Sequence, residues 1–344
     1  MKTALGVSLL LAASLACGTA AAESVADFYK GKQMRIVVRT AAGSGFDIYS
    51  RLLARHIVKH VPGQPAAMLT INMPGGGGIT SANHMAEVAP KDGTVLTMQN
   101  SGVILDQALA LNSSLKADFR RFNWIGNLNS ANQLIATWHK SQTKSFADAM
   151  RRETLIGTTG AAAIGVQLAN IANNVIGTKF KLITGYSDMN EINLAMERGE
   201  VDGRATSPYS SYVASTPYIR DKSIHFIMQF GTKYDPNVPG VPLARDLGKT
   251  ADEKAILDFI SASVAVGWPI ATTPAVPHER VAALRNAFDA TLTDADFVKE
   301  AQQQNIEINP LSGAELEAIV KSVLDAPQDV RDKAKVAMQM KKGA

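Results

Sequence analysis

The segment from Arg35 to His60 constrains the fold of this chain more than any other part of it. It opens with the β-branched run Ile36-Val37-Val38, passes through Gly43 and Gly45, and continues with apolar residues at helical spacing. The pattern predicts a strand, a glycine-rich turn and a helix. The first N–H groups of a helix lack intrahelical acceptors and lie at its positive end, so such a turn favours an anion.

The first 22 residues have the pattern of a secretory signal sequence. Lys2 supplies the positive start, residues 4–16 an apolar core, and residues 20–22 the small side chains of a cleavage site. The core is too short to cross a bilayer. We therefore predict an exported, periplasmic chain that is cleaved near Ala22. The alternative is a lipoprotein lipidated at Cys17, although Ser14 stands where a bulky aliphatic residue is usual.

Composition narrows the range of partners. Cleavage leaves 322 of the 344 residues, which is enough for two domains. Cys17 is the only cysteine, so the mature chain has no thiol chemistry. The net charge of +4 is spread without a basic block that carries interleaved aromatic residues, and no nucleic-acid partner is predicted. A mildly basic chain is compatible with small anionic ligands.

Strands and helices alternate through the first third of the chain. Further strands are predicted at 68–72 and 94–98, and the first of these leads into the four glycines at 75–78. This alternation predicts a parallel sheet with helices on both faces, and such sheets bind ligands at the carboxyl ends of their strands. The two glycine turns and Asn100-Ser101, which follows the third strand, are therefore expected to converge on one crevice.

The same pattern recurs after a longer predicted strand, Trp124 to Thr137. A strand at Leu155-Ile156 leads into a small-residue turn and a helix, and further strands are predicted at 180–183 and after Val201. Two more strands are expected at 224–229 and 264–270, and helices follow Pro277. We assign residues 23–127 and about 224–262 to a first lobe, 128–223 and about 263–276 to a second, and 277–344 to helices that pack on both lobes and the hinge.

Two similar lobes suggest a ligand held from both sides. Micromolar affinity requires about 8 kcal/mol, and four hydrogen bonds to a carboxylate at roughly 1.5 to 3 kcal/mol each supply that amount before entropic costs. The candidate ligand-binding residues lie in or beside the strand-end turns of both lobes: Ala42, Gly43, Ser44, Gly45, Phe46, Asp47, Gly75, Gly76, Gly77, Gly78, Ile79, Asn100, Ser101, Thr158, Thr159, Gly160, Ala161, Arg204, Ser207 and Tyr209.

Several of these candidates have a structural alternative. Ser44 either donates to a carboxylate or caps the following helix, and Asp47 is a specificity residue only if it is exposed. Residues 158–160 either contact the ligand or simply begin a helix. Arg204 either binds a second carboxylate or pairs with Glu200. Tyrosines such as Tyr209 either line a pocket or pack at the end of a sheet.

Motifs for enzymes and metals are incomplete. Gly43-x-Gly45 lacks the third glycine of a dinucleotide-binding turn, residues 77–80 lack the lysine of a phosphate loop, and Ser44 lacks the glycine that a nucleophile elbow requires. His56 and His60 are four residues apart without the glutamate of a zinc hydrolase, and we interpret them as solvated. No cofactor, metal site or catalysis is predicted.

Several segments are similar to the substrate-binding proteins of tripartite tricarboxylate transporters, the Bug or TctC family. They cover nearly the whole mature chain and include VVRTAAGSGFDIYSRLLARHI, INMPGGGGITSANHMAEVAPKDGTVL, WIGNL, LIGTTGAAAIG and GYSDMNEINLAMERGEVDG. The resemblance implies a two-lobed α/β fold of the type II, Venus-flytrap kind, with a mostly parallel sheet in each lobe. It also implies a monomer without catalytic activity, a two-subunit membrane permease as partner, and carboxylate capture by loops 42–47 and 74–79.

The first loop departs from the family pattern. The usual Pro-Gly-Gly start is replaced by Ala42-Gly43-Ser44, and Phe46 stands where a small hydroxyl residue is common. Phe46 favours a ligand with a flat apolar body. We therefore predict a receptor that delivers a small carboxylate, with a di- or aromatic carboxylate favoured, to a tripartite tricarboxylate-type transporter. A carboxylate-sensing partner of a signalling receptor and an exported α/β hydrolase are the alternatives.

Overall fold

The structure is a computed structural model that describes residues 23–158, 163–186, 189–214 and 218–339. The predicted signal sequence lies outside the described residues. The strands are β1 (Gln33–Val38), β2 (Ala67–Asn72), β3 (Val95–Met98), β4 (Asn123–Asn127), β5 (Gln133–Trp138), β6 (Thr154–Thr158), β7 (Phe180–Thr184), β8 (Gly203–Ser207), β9 (Ile224–Phe230), β10 (Pro269–Thr272) and β11 (Leu311–Ser312).

Thirteen α-helices lie within the described ranges. They are α1 (Val25–Tyr29), α2 (Gly45–Ile57), α3 (Ile79–Glu87), α4 (Ser101–Leu109), α5 (Phe146–Arg151), α6 (Ile164–Ile171), α7 (Met189–Arg198), α8 (Tyr209–Ala214), α9 (Ala251–Ala265), α10 (His278–Thr293), α11 (Ala295–Gln303), α12 (Gly313–Leu324) and α13 (Gln328–Ala337). A π-helical turn, Ala172–Ile176, continues α6.

The first lobe contains a six-stranded mixed sheet in the order β11-β4-β10-β3-β1-β2. β1 pairs in parallel with β2 and β3, whereas β10 runs antiparallel to both β3 and β4. Side chains alternate along β1: Met34 and Ile36 pack on one face with Leu52 of α2, and Val37 packs on the other face with Ile104 of α4. The chain leaves β1 toward one face and leaves β2 and β3 toward the other. This divergence opens a crevice at the carboxyl end of β1.

The second lobe contains a five-stranded mixed sheet in the order β7-β6-β8-β5-β9. β6 pairs in parallel with β7 and β8, and β5 runs antiparallel to β8 and β9. The parallel core of each lobe is therefore three strands wide, and antiparallel strands extend it on one side. The predicted recurrence of a strand followed by a helix is confirmed by β6 and α6, whereas most of the predicted turn between them lies outside the described residues.

Two strand assignments made from the sequence are wrong. β9 pairs with β5 in the second lobe, although residues 224–262 were assigned to the first. β10 pairs with β3 and β4 in the first lobe, although residues 263–276 were assigned to the second. Strand pairing over such distances depends on partners that local periodicity does not identify.

Two strand boundaries also differ from prediction. The single strand expected from Trp124 to Thr137 is two strands in different sheets, because residues 128–132 cross from one lobe to the other. The strand expected at 264–270 is instead the end of α9, a turn at Gly267 and the start of β10. Short apolar runs are compatible with either a helix end or a strand, so periodicity alone misassigned this one.

The crossing segments touch at two glycines. A Cβ atom added to Gly267 would lie 2.0 Å from the carbonyl oxygen of Asn129, and one added to Gly231 would lie 1.7 Å from Oδ1 of Asn132. The Trp268 N–H donates to the carbonyl of Asn129 (3.2 Å) on the outgoing segment. We call this contact region, residues 128–132 with residues 266–268, the crossing. Only glycine allows the two backbones to approach so closely.

The C-terminal helices divide between the lobes. α10 and α11 pack on α2 in the first lobe, whereas α13 contacts α4 of the first lobe and α6 of the second. The interpretation of His56 and His60 as solvated is wrong for His56, which is 6% exposed and lies 2.7 Å from Glu300 of α11. His60 lies 2.9 Å from Asp294, so both histidines face these helices, which sequence spacing could not indicate.

Candidate functional site

The first glycine turn is organised around a buried carboxylate. Asp47 is 2% exposed and accepts hydrogen bonds from the Gly43 amide (2.9 Å), Arg51 Nε (2.9 Å) and Asn72 Nδ2 (2.9 Å). The side chain of Ser44 caps α2 by accepting from the Asp47 amide. Asp47 therefore holds the shape of the turn, and the condition under which it would select ligands, exposure, is not met.

The charge of Asp47 follows from these contacts. Burial alone raises the pKa of its carboxyl group, but the hydrogen bonds from Arg51, Gly43 and Asn72 outweigh burial and lower the pKa to about 2. Asp47 is therefore an anion at neutral pH. It uses the Gly43 amide, which was expected to face a ligand, so the turn offers fewer free main-chain donors than the sequence suggested.

The second glycine turn has an unusual backbone. All four glycines from Gly75 to Gly78 have positive φ angles, between 55° and 139°. Residues with a side chain rarely adopt these angles, so the run is needed for the path of the backbone itself. Part of its hydrogen bonding is internal, because the Gly78 amide donates to the carbonyl of Gly75 (3.0 Å).

The two turns meet, as the sequence predicted. Asn72 at the end of β2 donates to the carbonyl of Thr40 in the first turn (3.0 Å). Arg39, the residue that follows β1, donates from Nε to the carbonyl of Gly77 (3.3 Å). A Cβ atom on Gly78 would lie 3.1 Å from Arg39 Nε and 3.2 Å from Val103 of α4, so the third strand end lies beside the other two.

Arg39 was not among the residues predicted to bind ligand. The signal was present, because Arg39 directly follows a predicted strand at the edge where ligands bind. Its guanidinium Cζ lies 4.8 Å from the centroid of the Phe46 ring. Phe46 in turn stacks on Trp268 with ring centroids 4.5 Å apart and planes 10° apart. Nothing in the sequence indicated that Trp268, from the crossing, would reach this turn.

The third strand end contributes Asn100 and Ser101. The side chain of Asn100 accepts from the amide of Val103 (3.2 Å) and caps α4, and both residues are half-buried. Ile79, at the end of the second turn, is buried in the first lobe with its side chain in the core. It therefore offers at most its backbone to a ligand.

The second lobe contains a buried cation, Arg204, on strand β8. Arg204 on β8 has no exposed surface, donates from Nη1 to Asn193 (2.7 Å) and lies 4.0 Å from the ring centroid of Tyr212. Its Nε and Nη2 donors have no hydrogen-bond partner among the described residues. Among these residues Glu200 pairs with Arg198 (3.8 Å) and not with Arg204.

The other second-lobe candidates surround the end of β8. Ser207 is buried, and Tyr209 is half-buried against Phe226, with ring centroids 6.0 Å apart. Thr158 at the end of β6 is 1% exposed, and its hydroxyl has no hydrogen-bond partner among the described residues. Thr159, Gly160 and Ala161 lie outside the described residues. Thr206 has a φ of 55°, an angle that is unfavourable for a β-branched residue and marks local strain at this strand end.

The described ranges contain no group of three or more metal-ligating side chains of the kind that holds a metal ion. They also contain no helix of the length and apolarity needed to cross a membrane.

Two α/β lobes joined by a crossing, with glycine turns at the strand ends of the first lobe, form the two-lobed fold of type II periplasmic binding proteins. A TctC solute binding protein from Polaromonas has this fold with a TM-score of 0.68 at 18% identity, covering 90% of this chain and 99% of its own. MatC from Rhodopseudomonas palustris, with bound malate, has a TM-score of 0.60 at 20% identity, covering 90% and 99%. The resemblance to TctC proteins is thus confirmed in the fold.

Sequence comparison agrees with the structural one. The UPF0065 protein in the gbd 5' region of Cupriavidus necator, a protein of the Bug family, is 27% identical over 248 residues, covering 70% of this chain and 72% of its own. No family model matches the chain. The structural neighbours also include the periplasmic binding protein BugD, with a TM-score of 0.62 at 19% identity, covering 90% of this chain and 98% of its own.

Proposed function

We propose that this chain is an exported periplasmic receptor that captures a small organic carboxylate between its two lobes. The observation that carries the proposal is the convergence of the turns after β1 and β2, through the contacts of Arg39 with Gly77 and of Asn72 with Thr40. A cation and the positive end of α2 lie together there, and both favour an anion. The malate bound by MatC supports the ligand class.

The receptor would deliver its ligand to the two-subunit membrane permease of a tripartite tricarboxylate-type transporter, and would act as a monomer. This part of the proposal rests on the resemblance to TctC proteins. A sensing role would use the same binding step. Deletion of the neighbouring permease genes separates the two, because only a transport receptor then loses its effect on carboxylate uptake.

The binding step is tested on the mature chain with malate, succinate, adipate, citrate, benzoate and terephthalate. A ligand of micromolar affinity present at 1 mM, roughly a thousandfold above its dissociation constant, should stabilise the folded chain by about 4 kcal/mol. Thermal unfolding and titration calorimetry would both detect this. Stabilisation by none of the six acids would contradict the proposal.

We further propose that the second-lobe candidates, residues 158–161 with Arg204, Ser207 and Tyr209, hold the far end of the ligand. Arg204 has two donor groups that bond to no described residue, which is unusual for a buried cation. Arg204→Gln should therefore weaken binding of dicarboxylates more than that of benzoate. Arg198→Gln is the control, since Arg198 is exposed on α7. Equal loss for both ligand classes would indicate a purely structural Arg204.

A further inference from the structure

The feature that the proposed function leaves unexplained is the stack of Arg39, Phe46 and Trp268 at the mouth of the first-lobe turns. The Trp268 ring stacks nearly parallel to the Phe46 ring, with centroids 4.5 Å apart, and the Arg39 guanidinium Cζ lies 4.8 Å from the Phe46 ring centroid. Both groups lie against the Phe46 ring at short distance, and together they restrict the ring surface that is available to a flat ligand.

The Phe46 ring orients the guanidinium of Arg39, which has hydrogen-bond donors that no described residue uses. Arg39 uses Nε for the carbonyl of Gly77, and its two Nη groups make no hydrogen bond with any described residue. No aspartate or glutamate of the described ranges forms an ion pair with it, and the carboxylate in its own turn, Asp47, is bound to Arg51. The planar guanidinium is thus fixed by Phe46 while its outer edge remains available for a bidentate contact.

The stack also explains why glycine stands at position 45. A Cβ atom on Gly45 would lie 2.7 Å from the Trp268 ring. The Trp268 ring also packs against Tyr49, with ring centroids 4.0 Å apart. Its backbone N–H donates to the carbonyl of Asn129 at the crossing. The position of Arg39 is therefore coupled through Phe46 and Trp268 to the segment about which the lobes are joined.

We infer that Arg39 is the ligand's anion anchor in the first lobe, and that Phe46 and Trp268 are its positioning residues. The inference rests on the proposed function and deepens it: a charged side chain, in addition to main-chain amides, takes the carboxylate. The partner group is a planar carboxylate, which matches the guanidinium fork. An aromatic part of the ligand would then contact the outer face of Arg39 rather than Phe46.

The energetics of the unliganded chain agree with this role. Burial lowers the pKa of Arg39, because desolvation disfavours the cation and no nearby anion opposes the effect. A partly desolvated cation without a counter-ion destabilises the folded chain. Removal of the charge should therefore leave the melting temperature of the free chain unchanged or raise it, whereas a purely structural arginine would lower it on removal.

The test compares wild type, Arg39→Gln and Arg35→Gln with malate, adipate and benzoate. Arg35 is an exposed residue at the other end of β1 and serves as the matched control. We expect Arg39→Gln to weaken binding roughly 10- to 100-fold, the loss typical of a charge-assisted contact, and Arg35→Gln to leave binding unchanged. Equal binding by Arg39→Gln and wild type would overturn the inference while the receptor proposal stands.

Failure of all carboxylates to bind wild type would overturn the receptor proposal. In that case, sulfate binding tests whether Arg39 is an anion-binding residue. The chain contains three tryptophans, so the Trp268 signal is taken as the emission difference from Trp268→Phe. A sulfate-dependent change in wild type and Arg35→Gln that is absent in Arg39→Gln supports the anchor. No change in any of them overturns it.

The positioning role has its own readout. Gly45→Ala should displace Trp268 and weaken malate binding, and it should also reduce the dependence of binding on ionic strength, because the guanidinium is no longer held at the carboxylate. Gly240→Ala is the control, because Gly240 lies outside both ligand-binding turns and has open space around it. Unchanged ionic-strength dependence in Gly45→Ala would show that the stack does not orient Arg39.

Discussion

At the scale of single residues, the turns contain one charged side chain whose hydrogen bonds are all made within the protein and one whose donors are partly unused by the described residues. Asp47 is buried with three donors and fixes the backbone of the first turn, whereas Arg39 is held by a ring and keeps donors free. The sequence places both residues at the strand end but does not distinguish their roles. Burial and partners make that distinction, because the same charged residue type serves either to build a turn or to bind a ligand.

The pH dependence of stability follows from Asp47. Its folded-state pKa of about 2 lies below the ordinary value of 3.8, so its contribution is complete above pH 4 and is lost as the pH falls toward 2. We expect Asp47→Asn to lower the unfolding free energy by about 2 kcal/mol at pH 7. Denaturant unfolding at several pH values should show this difference shrinking below pH 4. A difference that stays constant down to pH 2 would contradict the assignment.

At the scale of elements, the crossing brings two backbone segments into close contact. Gly267 approaches Asn129 so closely that a methyl group would lie 2.0 Å from a backbone oxygen, and its φ of 55° also disfavours other residues. These two constraints act on one position. The close approach is a property of the pairing of distant segments, so no local pattern in the sequence revealed it.

Gly267→Ala is expected to destabilise the chain by about 2 kcal/mol or more, since overpacking and an unfavourable φ add at the same site. Urea unfolding measures the effect. Gly240→Ala is the control: its φ is also positive, at 79°, but the position has open space around it. Equal loss in the two variants would show that backbone conformation, and not contact with Asn129, is responsible.

At the scale of the whole molecule, the lobes share one hydrophobic core. Ile104 of the first lobe and Leu168 of the second belong to the same cluster, joined by Leu257 of α9, Val320 of α12 and Ala334 of α13. The C-terminal segment contacts both lobes: Lys335 of α13 donates to the carbonyl of Leu109 in the first lobe (3.2 Å), and Asn170 of α6 in the second lobe donates to the carbonyl of Met338, just after α13 (2.9 Å).

A continuous core predicts that the two lobes unfold together. Scanning calorimetry of the unliganded chain should show a single transition, with equal calorimetric and van't Hoff enthalpies. Weakly joined lobes would instead unfold in two steps. Arg331→Ala removes a hydrogen bond from α13 to the carbonyl of Ala108 (3.2 Å) and should lower the transition temperature without splitting the peak. Two resolved transitions in the parent chain would contradict the shared core.

Local chemistry was sufficient to predict the strand, turn and helix units, their glycine turns and the convergence of those turns, because periodicity and backbone preference act over a few residues. Tertiary contacts alone set the lobe to which β9 and β10 belong, the burial of His56 and Asp47, and the seating of Trp268 against Phe46. Each of these depends on groups far apart in the chain. Their proximity is a consequence of packing in three dimensions, which a one-dimensional pattern does not encode.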